Sequence, residues 1–206
     1  MLDNIQYISN GDTSQEQLYH IEAVLAAGQK WIQYRFKETT STTRWITAER
    51  VKLLCEQYQA KLIVNDYVDL AKAIDADGVH LGLTDASIAE AKQVLPNKII
   101  GGTANTIEDI KQRHQEGCTY IGLGPYRHTD TKKKLSPVLG LNGYQQLMSQ
   151  MKKLQINTPV VAIGGIIVND ILPLKAIGLH GIAISGLLQN STNKAQLIQQ
   201  LNSLLK

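Results

Sequence analysis

Gln33, Arg35 and Lys37 stand at alternate positions, separated by the rings of Tyr34 and Phe36. In an extended strand, a period of two turns all three to one side. Arg offers a planar fork to phosphate oxygens and Lys a compact point charge, so this row, turned inward at a pocket mouth, makes a cationic wall. Facing solvent, it is an ordinary charged face. Two acids follow short apolar runs: Asp66, directly after Asn65, and Asp85, shortly after Gly82. Each alone also reads as a helix cap. Further along come Gly101, Gly102 and Thr103, then Gly-Leu-Gly-Pro followed by Thr129, Thr131 and Lys132. Hydroxyls, backbone N–H groups and an ammonium at that spacing suit an anion grip. Two later runs end in Gly164–Gly165 and Ser185–Gly186, where glycine either lets backbone approach a phosphate or merely permits a tight turn.

Charge balance links these groups. A phosphomonoester carries up to about −2, and by extension an ionised diphosphate monoester carries about −3. Arg35, Lys37 and Lys132 supply three positive charges. Asp66 and Asp85 would repel such a ligand if bare. A divalent metal between them and the phosphates removes the conflict, and Mg²⁺ is suited to one or two carboxylates plus substrate oxygens and water. Acids at two successive strand ends beside a cationic wall therefore predict Mg²⁺–diphosphate binding.

The elements that must hold these residues are legible from periodicity. Apolar runs at 5–9, 31–37, 61–66, 78–82, 98–103, 119–125, 159–165 and 181–185 read as strands. Between them lie helical patterns. Ser14 with Gln17 suggests a capping box, with Gly28 ending that helix. Residues 42–59 place Trp45, Ala48, Val51, Leu54, Cys55 and Tyr58 at helical spacing. A helix over 106–115 ends at Gly117, Asn169 is positioned to cap a helix with Pro173 in its first turn, and the tail Lys194–Leu205 is amphipathic. Residues 126–141 read as an extended loop. Strands alternating with helices predict a parallel sheet, and eight such units in one domain over 1–206 predict a (β/α)8 TIM barrel. A doubly wound open sheet is the alternative. In a barrel, the strand C-termini carry the site, and the loops after strands 7 and 8 commonly hold a phosphate.

The composition is that of an ordinary soluble domain: 43% apolar, 19% charged, net charge +3, with its cations dispersed. Apart from one short cluster at Lys132, Lys133 and Lys134, that balance does not argue for a nucleic-acid partner, and none is expected. Cys55 and Cys118 show no metal or disulfide spacing. No apolar stretch approaches the roughly 18 residues of a membrane span, and the N-terminus lacks the signature of a signal peptide. A cytoplasmic location is expected.

Q-Y-R-F-K, V-N-D, H-L-G-x-x-D, G-P-x-x-x-T-x-T-K-K and A-I-G-G-I, in that order, resemble the thiamine-phosphate synthase family across nearly the whole chain. The resemblance implies a Mg²⁺-dependent transferase of thiamine biosynthesis. It would join 4-amino-2-methyl-5-pyrimidinylmethyl diphosphate to a thiazole phosphate or its carboxylate, giving thiamine phosphate and diphosphate by a dissociative route. Carried over by position, Gln33, Arg35, Lys37, Asn65, Thr103 and Lys132 would bind the pyrimidine diphosphate, with Arg35, Lys37 and Lys132 stabilising the leaving group. Asp66 and Asp85 would hold Mg²⁺, and Thr129, Thr131, Gly165, Ser185 and Gly186 the thiazole phosphate. Small molecules are then the expected partners, with neither nucleic acid nor membrane, and a homodimer is allowed. The chain departs from the family pattern at Asn105, where His is usual, at Thr103 in place of Ser, at Tyr126-Arg127-His128 before Thr129, and at Ser185–Gly186, which sit one residue off register. A thiazole tautomerase-like relative or a non-catalytic thiamine-phosphate-binding regulator are the alternatives. Asn105, the intact acids and Q-x-R-x-K weigh against the first, and the intact acids against the second.

Overall fold

The computed structural model describes residues 2–128 and 137–206. Eight parallel strands close into a barrel in sequence order: β1 Ile5–Ile8, β2 Trp31–Tyr34, β3 Lys61–Asn65, β4 Gly78–Leu81, β5 Ile99–Ala104, β6 Tyr120–Leu123, β7 Val160–Ile163 and β8 Gly181–Ile184. β8 pairs back onto β1 through Gln6↔Ala183. The expected barrel is the one observed, and the open-sheet alternative is excluded by that last pairing.

Helices cover the outside: α1 Ser14–Ala26, α2 Ser41–Gln57, α3 Val68–Ala73, α4 Ile88–Val94, α5 Ile107–Gln115, α6 Gly140–Lys153, α7 Ile171–Ala176, α8 Gly186–Gln189 and α9 Lys194–Leu205. Strand parity separates two cores. Ile32, Tyr34, Leu62, Val64, Val79, Leu81, Ile121 and Leu123 face the helices, whereas Ile8, Trp31, Ile63, Tyr120, Val161 and Ala183 fill the barrel. A row of inward side chains makes the barrel a packed core rather than a pore.

The helix signals hold for the ends of α1 and α5 and fail for the Asn169 cap and for Trp45. The α1 capping box uses Thr13 and Glu16, one residue earlier than Ser14 and Gln17. Gln17 is instead buried, donating to the carbonyls of Gly11 and Arg35. Gly28 does terminate α1, at φ +99°. On α2 the buried face comprises Arg44, Thr47, Ala48, Val51 and Cys55, while Trp45 lies largely at the surface. Arg44 and Thr47 take the inner face in place of Trp45: Arg44 bonds to carbonyls of the loop after β2, and the Thr47 hydroxyl bonds to the Thr43 carbonyl and to Ser14 of α1. Thr106 caps α5 with Asp109, and Gly117 follows it at φ +72°. Asn169 caps nothing: it sits inside a 3-10 turn, Val168–Asp170, and Asp170 precedes α7. Strand β2 ends at Tyr34 rather than at residue 37, so Arg35 and Lys37 lie in the loop beyond it. Of the expected loop at 126–141, residues 126–128 and 137–139 are irregular and α6 begins at Gly140.

Candidate active site

A chain of buried polar groups crosses the barrel interior. Gln6 Nε2 donates to the Tyr120 hydroxyl at 3.0 Å, that hydroxyl meets His80 Nδ1 at 3.0 Å, and His80 Nε2 meets Thr103 Oγ1 at 3.1 Å. Tyr120 is fully buried, and with its oxygen accepting from Gln6 its proton has His80 Nδ1 as a partner at 3.0 Å. Leaving that proton unpaired would cost about 1–3 kcal/mol. A Tyr120 proton given to Nδ1 favours the Nε2–H tautomer, in which His80 donates to Thr103 Oγ1 and the Thr103 proton stays free to serve a ligand. Two glycines make the room. A Cβ on Gly101 would lie 2.3 Å from the Tyr120 ring and 2.6 Å from His80 Nδ1, and one on Gly122 would lie 2.9 Å from the His80 ring. Beside this chain, Gln33 Nε2 donates to Asn65 Oδ1 at 2.8 Å. Gln33 keeps its carbonyl oxygen, and Asn65 its amide N–H groups, for a ligand.

Above that floor lie the charges. Arg35 is half-buried, its backbone N–H held by Ser9 Oγ at 2.9 Å. Burial pulls its guanidinium pKa down, against the Asp66 and Glu38 carboxylates. Lys37 Nζ lies 2.5 Å from Asp66 Oδ2. Asp66 occupies the left-handed region at φ +68°, with its N–H bonded to the His80 carbonyl at 2.9 Å. Its carboxyl pKa is raised, first by burial and also by the adjoining Asp85 carboxyl, with Lys37 working in the opposite direction. Asp85 Oδ2 accepts from Gly82 N at 2.6 Å, and a Cβ on Gly82 would sit 2.8 Å from that oxygen. The two acids named from sequence thus meet, as two carboxylates sharing a place with one ammonium.

Two buried arginines brace these strand ends. Arg44 donates to the carbonyls of Phe36, Lys37 and Thr39 at 2.8–3.0 Å and stacks 4.3 Å over the Tyr67 ring. It ties the Lys37 loop to the residue after Asp66. Arg113 donates to the carbonyls of Thr103 and Gly82 at 3.1 and 3.0 Å and pairs with Glu116. It joins the ends of β5 and β4, and so carries the Asp85 turn.

The remaining candidates sit after β7 and β8. Gly164 and Gly165 take φ +97° and +65°. Ser185 precedes α8 without capping it, and its hydroxyl is buried with no hydrogen-bond partner among the described residues. Gly186 is exposed beside it. Thr129, Thr131 and Lys132 lie outside the described residues. Asn105, in the family's His position, turns its side-chain amide to the carbonyl of Gly124 and its backbone N–H to Asp109. It serves as a strut between β5 and β6.

Gln33 with Asn65, Thr103 through His80, and Lys37 with Asp66 and Asp85 are thus brought together, and Gly165, Ser185 and Gly186 follow the same ends of neighbouring strands. Lys37 spends its charge on Asp66 where sequence reasoning aimed it at a ligand. Gln6, His80, Tyr120, Arg44 and Arg113 were missed. Strand parity could have found His80, since it alternates with Val79 and Leu81; nothing local marks Arg44 or Arg113.

The fold and this mouth define a (β/α)8 barrel that presents cations, amides and paired carboxylates at its strand C-termini. The thiamine monophosphate synthase family model matches residues 6–188. Thiamine-phosphate synthase of Flavobacterium johnsoniae is 54% identical over 206 residues, 100% of this chain and 97% of its own length. That of Flavobacterium psychrophilum is 52% identical over the full length of both. A thiamine phosphate pyrophosphorylase structure from Pyrococcus furiosus superposes with a TM-score of 0.83 at 28% identity, covering 98% of this chain and 95% of that one. The chain belongs to the thiamine monophosphate synthase family. Among the described residues, no helix is long and apolar enough to cross a membrane.

Proposed function

We propose that this chain is a thiamine-phosphate synthase, joining 4-amino-2-methyl-5-pyrimidinylmethyl diphosphate to a thiazole phosphate or its carboxylate. The observation that carries the reading is the meeting of Lys37, Asp66 and Asp85 above the amide pair Gln33–Asn65 and the oriented Thr103 hydroxyl. That arrangement supplies charge for a diphosphate next to donors and an acceptor for a heterocycle.

The bond between the methylene carbon and the diphosphate oxygen breaks first, and the electron pair leaves with the diphosphate. The ring's amino group spreads the resulting positive charge, and the thiazole nitrogen then donates its pair to the methylene carbon. The protein needs no nucleophile of its own. Arg35 and Lys37, with Lys132, stabilise the charge growing on the leaving group, the kind of preorganised electrostatics that dominates many rate enhancements. Lys37 exchanges Asp66 for the incoming diphosphate as its anionic partner. Gln33, Asn65 and Thr103 fix the ring so that the carbon faces the thiazole, and such alignment can remove several kcal/mol of barrier, roughly 7–11 at most.

Asp66 and Asp85 fit Mg²⁺. Their carboxylates adjoin, and burial already biases Asp66 toward its protonated form, so a divalent cation relieves a repulsion that Lys37 only partly offsets. No group of three or more His, Cys, Asp or Glu among the described residues offers an all-protein cage, which agrees with a metal completed by substrate oxygens and water. Bound there, Mg²⁺ would neutralise the diphosphate oxygens. Gly165, Ser185 and Gly186, with Thr129 and Thr131, hold the thiazole phosphate in this reading. The buried Ser185 hydroxyl supports it, because buried polar groups rarely lack a partner.

The test is to mix the purified protein with both substrates and Mg²⁺ and follow thiamine phosphate by chromatography, with and without EDTA. Product formation that EDTA abolishes is expected. Stoichiometric binding of thiamine phosphate with no turnover would replace the enzyme with a regulator.

A further inference from the structure

Arg127 and Asp170 lie on different loops, after β6 and after β7, and neither belongs to the substrate or metal residues assigned above. Their pairing is two-pronged: Arg127 Nη2 meets Asp170 Oδ1 at 2.6 Å and Nη1 meets Oδ2. The same Nη1 donates to the Gly165 carbonyl at 3.0 Å, and the Arg127 backbone N–H to the Gly164 carbonyl at 2.9 Å. Asp170 is buried and takes a further bond from Ile167 N at 2.8 Å. The guanidinium also stacks 4.8 Å over the Tyr126 ring. Two of these contacts, from Arg127 Nη1 and from the Arg127 backbone N–H, end on the turn Gly164–Gly165, whose positive φ angles leave little latitude for substitution. The approach is close: a Cβ on Gly165 would lie 2.8 Å from Arg127 Cβ, and one on Gly164 2.8 Å from Pro125 Cβ.

We propose that Arg127 and Asp170 form a clasp that holds the Gly164–Gly165 turn against the β6 loop and so sets the geometry of the thiazole phosphate site. They are positioning residues. The clasp rests on the proposed synthase reading for the identity of its ligand. Arg127 is the obvious cation to assign to the phosphate itself, yet its fork is already committed: both nitrogens face Asp170 and one also serves the Gly165 carbonyl. A carboxylate in that grip would be a repulsive neighbour if Arg127 were a phosphate ligand. With the pair intact, the two charges cancel, and the phosphate meets backbone and hydroxyl donors instead. Asp170 is held ionised for that purpose: burial works to raise its pKa, and the Arg127 guanidinium together with the Ile167 N–H outweighs it.

Direct ligation and positioning give opposite signs for one substitution. If the pair is a clasp, Arg127→Ala and Asp170→Asn both loosen the same turn. Each should raise KM for thiazole phosphate about tenfold, about 1.4 kcal/mol, and leave KM for the pyrimidine diphosphate within about twofold. The double variant should be no worse than either single one, because partners in one interaction are not additive. Arg127→Lys, which keeps the charge and loses the fork, should recover only part of the loss. Titration of thiazole phosphate into each protein by calorimetry should follow the same order without depending on turnover. If Arg127→Ala weakens binding while Asp170→Asn strengthens it, Arg127 is a direct ligand and the clasp is wrong. Equal KM values in all variants, with only a lower Tm, would reduce the pair to a structural tie and also overturn the proposal. Wild-type protein that neither turns over nor binds thiazole phosphate would mark the failure of the synthase reading itself, and the clasp's role would fall with it.

Discussion

Removing one oxygen from the barrel interior tests the hydrogen-bond chain that sets the Thr103 hydroxyl. In Tyr120→Phe the ring stays, so its edge contact with Trp31 at 5.0 Å is kept. What is lost is the acceptor for Gln6 Nε2 and the donor for His80 Nδ1, both at 3.0 Å and both on buried residues. Each stranded group costs about 1–3 kcal/mol, and the hydroxyl that no longer needs desolvation returns part of that. The gap left is smaller than the roughly 10–15 Å³ that one water requires, so solvent cannot repair it. A net loss of about 2–3 kcal/mol follows, and for a domain of this size that lowers Tm by about 5–10 °C. With its tautomer no longer selected, His80 ceases to hold Thr103 as an outward donor. KM for the pyrimidine diphosphate should then rise about five- to tenfold, the size of one neutral hydrogen bond. Thermal unfolding and steady-state kinetics read the two effects separately. Adding Gln6→Leu to Tyr120→Phe should cost less than the sum of the single changes, since apolar replacement of both partners leaves one fewer orphan. A Tm within about 2 °C of wild type, when the buried loss should exceed that, together with an unchanged KM, would show that the chain is not continuous and would undo the tautomer argument.

Three further outcomes follow from the same geometry. Arg35→Ala should lower kcat/KM for the pyrimidine diphosphate by about ten- to a hundredfold, the size of a charge-assisted hydrogen bond, and spare thiazole phosphate binding; equal losses for both substrates would remove the two-site assignment. Asp66→Asn should raise the Tm of ligand-free protein at pH 7 by about 1–3 °C, because an ionised carboxyl whose pKa is raised in the folded state costs stability, and Asn accepts φ +68° readily. That variant should turn over poorly and lack the Tm gain with Mg²⁺ that is expected of wild type; an unchanged response to Mg²⁺ would exclude Asp66 as a ligand. For Asp170 the sign is opposite: its pKa is lowered on folding, so its stabilisation is complete above the ordinary carboxylate value and is lost as pH falls through the folded one. Asp170→Asn should therefore cost about 1–2 kcal/mol at pH 7, less than a fully buried pair because Arg127 can return to water, and its deficit should shrink below about pH 4; a deficit constant with pH would mean that the pairing is not ionic.

Much of this protein was present in one dimension. The eight strands, their order and their helical crossovers follow from period and punctuation, because a parallel sheet of short apolar runs has few ways to bury both faces. That Gln33, Asn65, Asp66 and Asp85 gather at one end of the barrel was legible because parallel strands bring all their C-termini to one face. Helix caps were off by a residue where neighbouring hydroxyls and acids could serve equally, as Thr13 with Glu16 did against Ser14 with Gln17.

Contacts between distant segments could not be read that way. Arg44, Arg113 and Arg127 look like surface charges on any helical or loop pattern, yet each spends its fork on carbonyls or a carboxylate of another loop. Trp45, apolar and well spaced on α2, lost the inner face to Arg44 and Thr47 because those side chains had partners there. His80 and Tyr120 are separated by 40 residues and meet only because β4, β5 and β6 are adjacent and Gly101 and Gly122 open the space. Sequence alone determined which strand residues face inward, since alternation along a strand is a local property of the backbone. Which of them touch was decided by closure of the sheet, since strand register and the volumes of facing side chains exist only once all eight strands are in place.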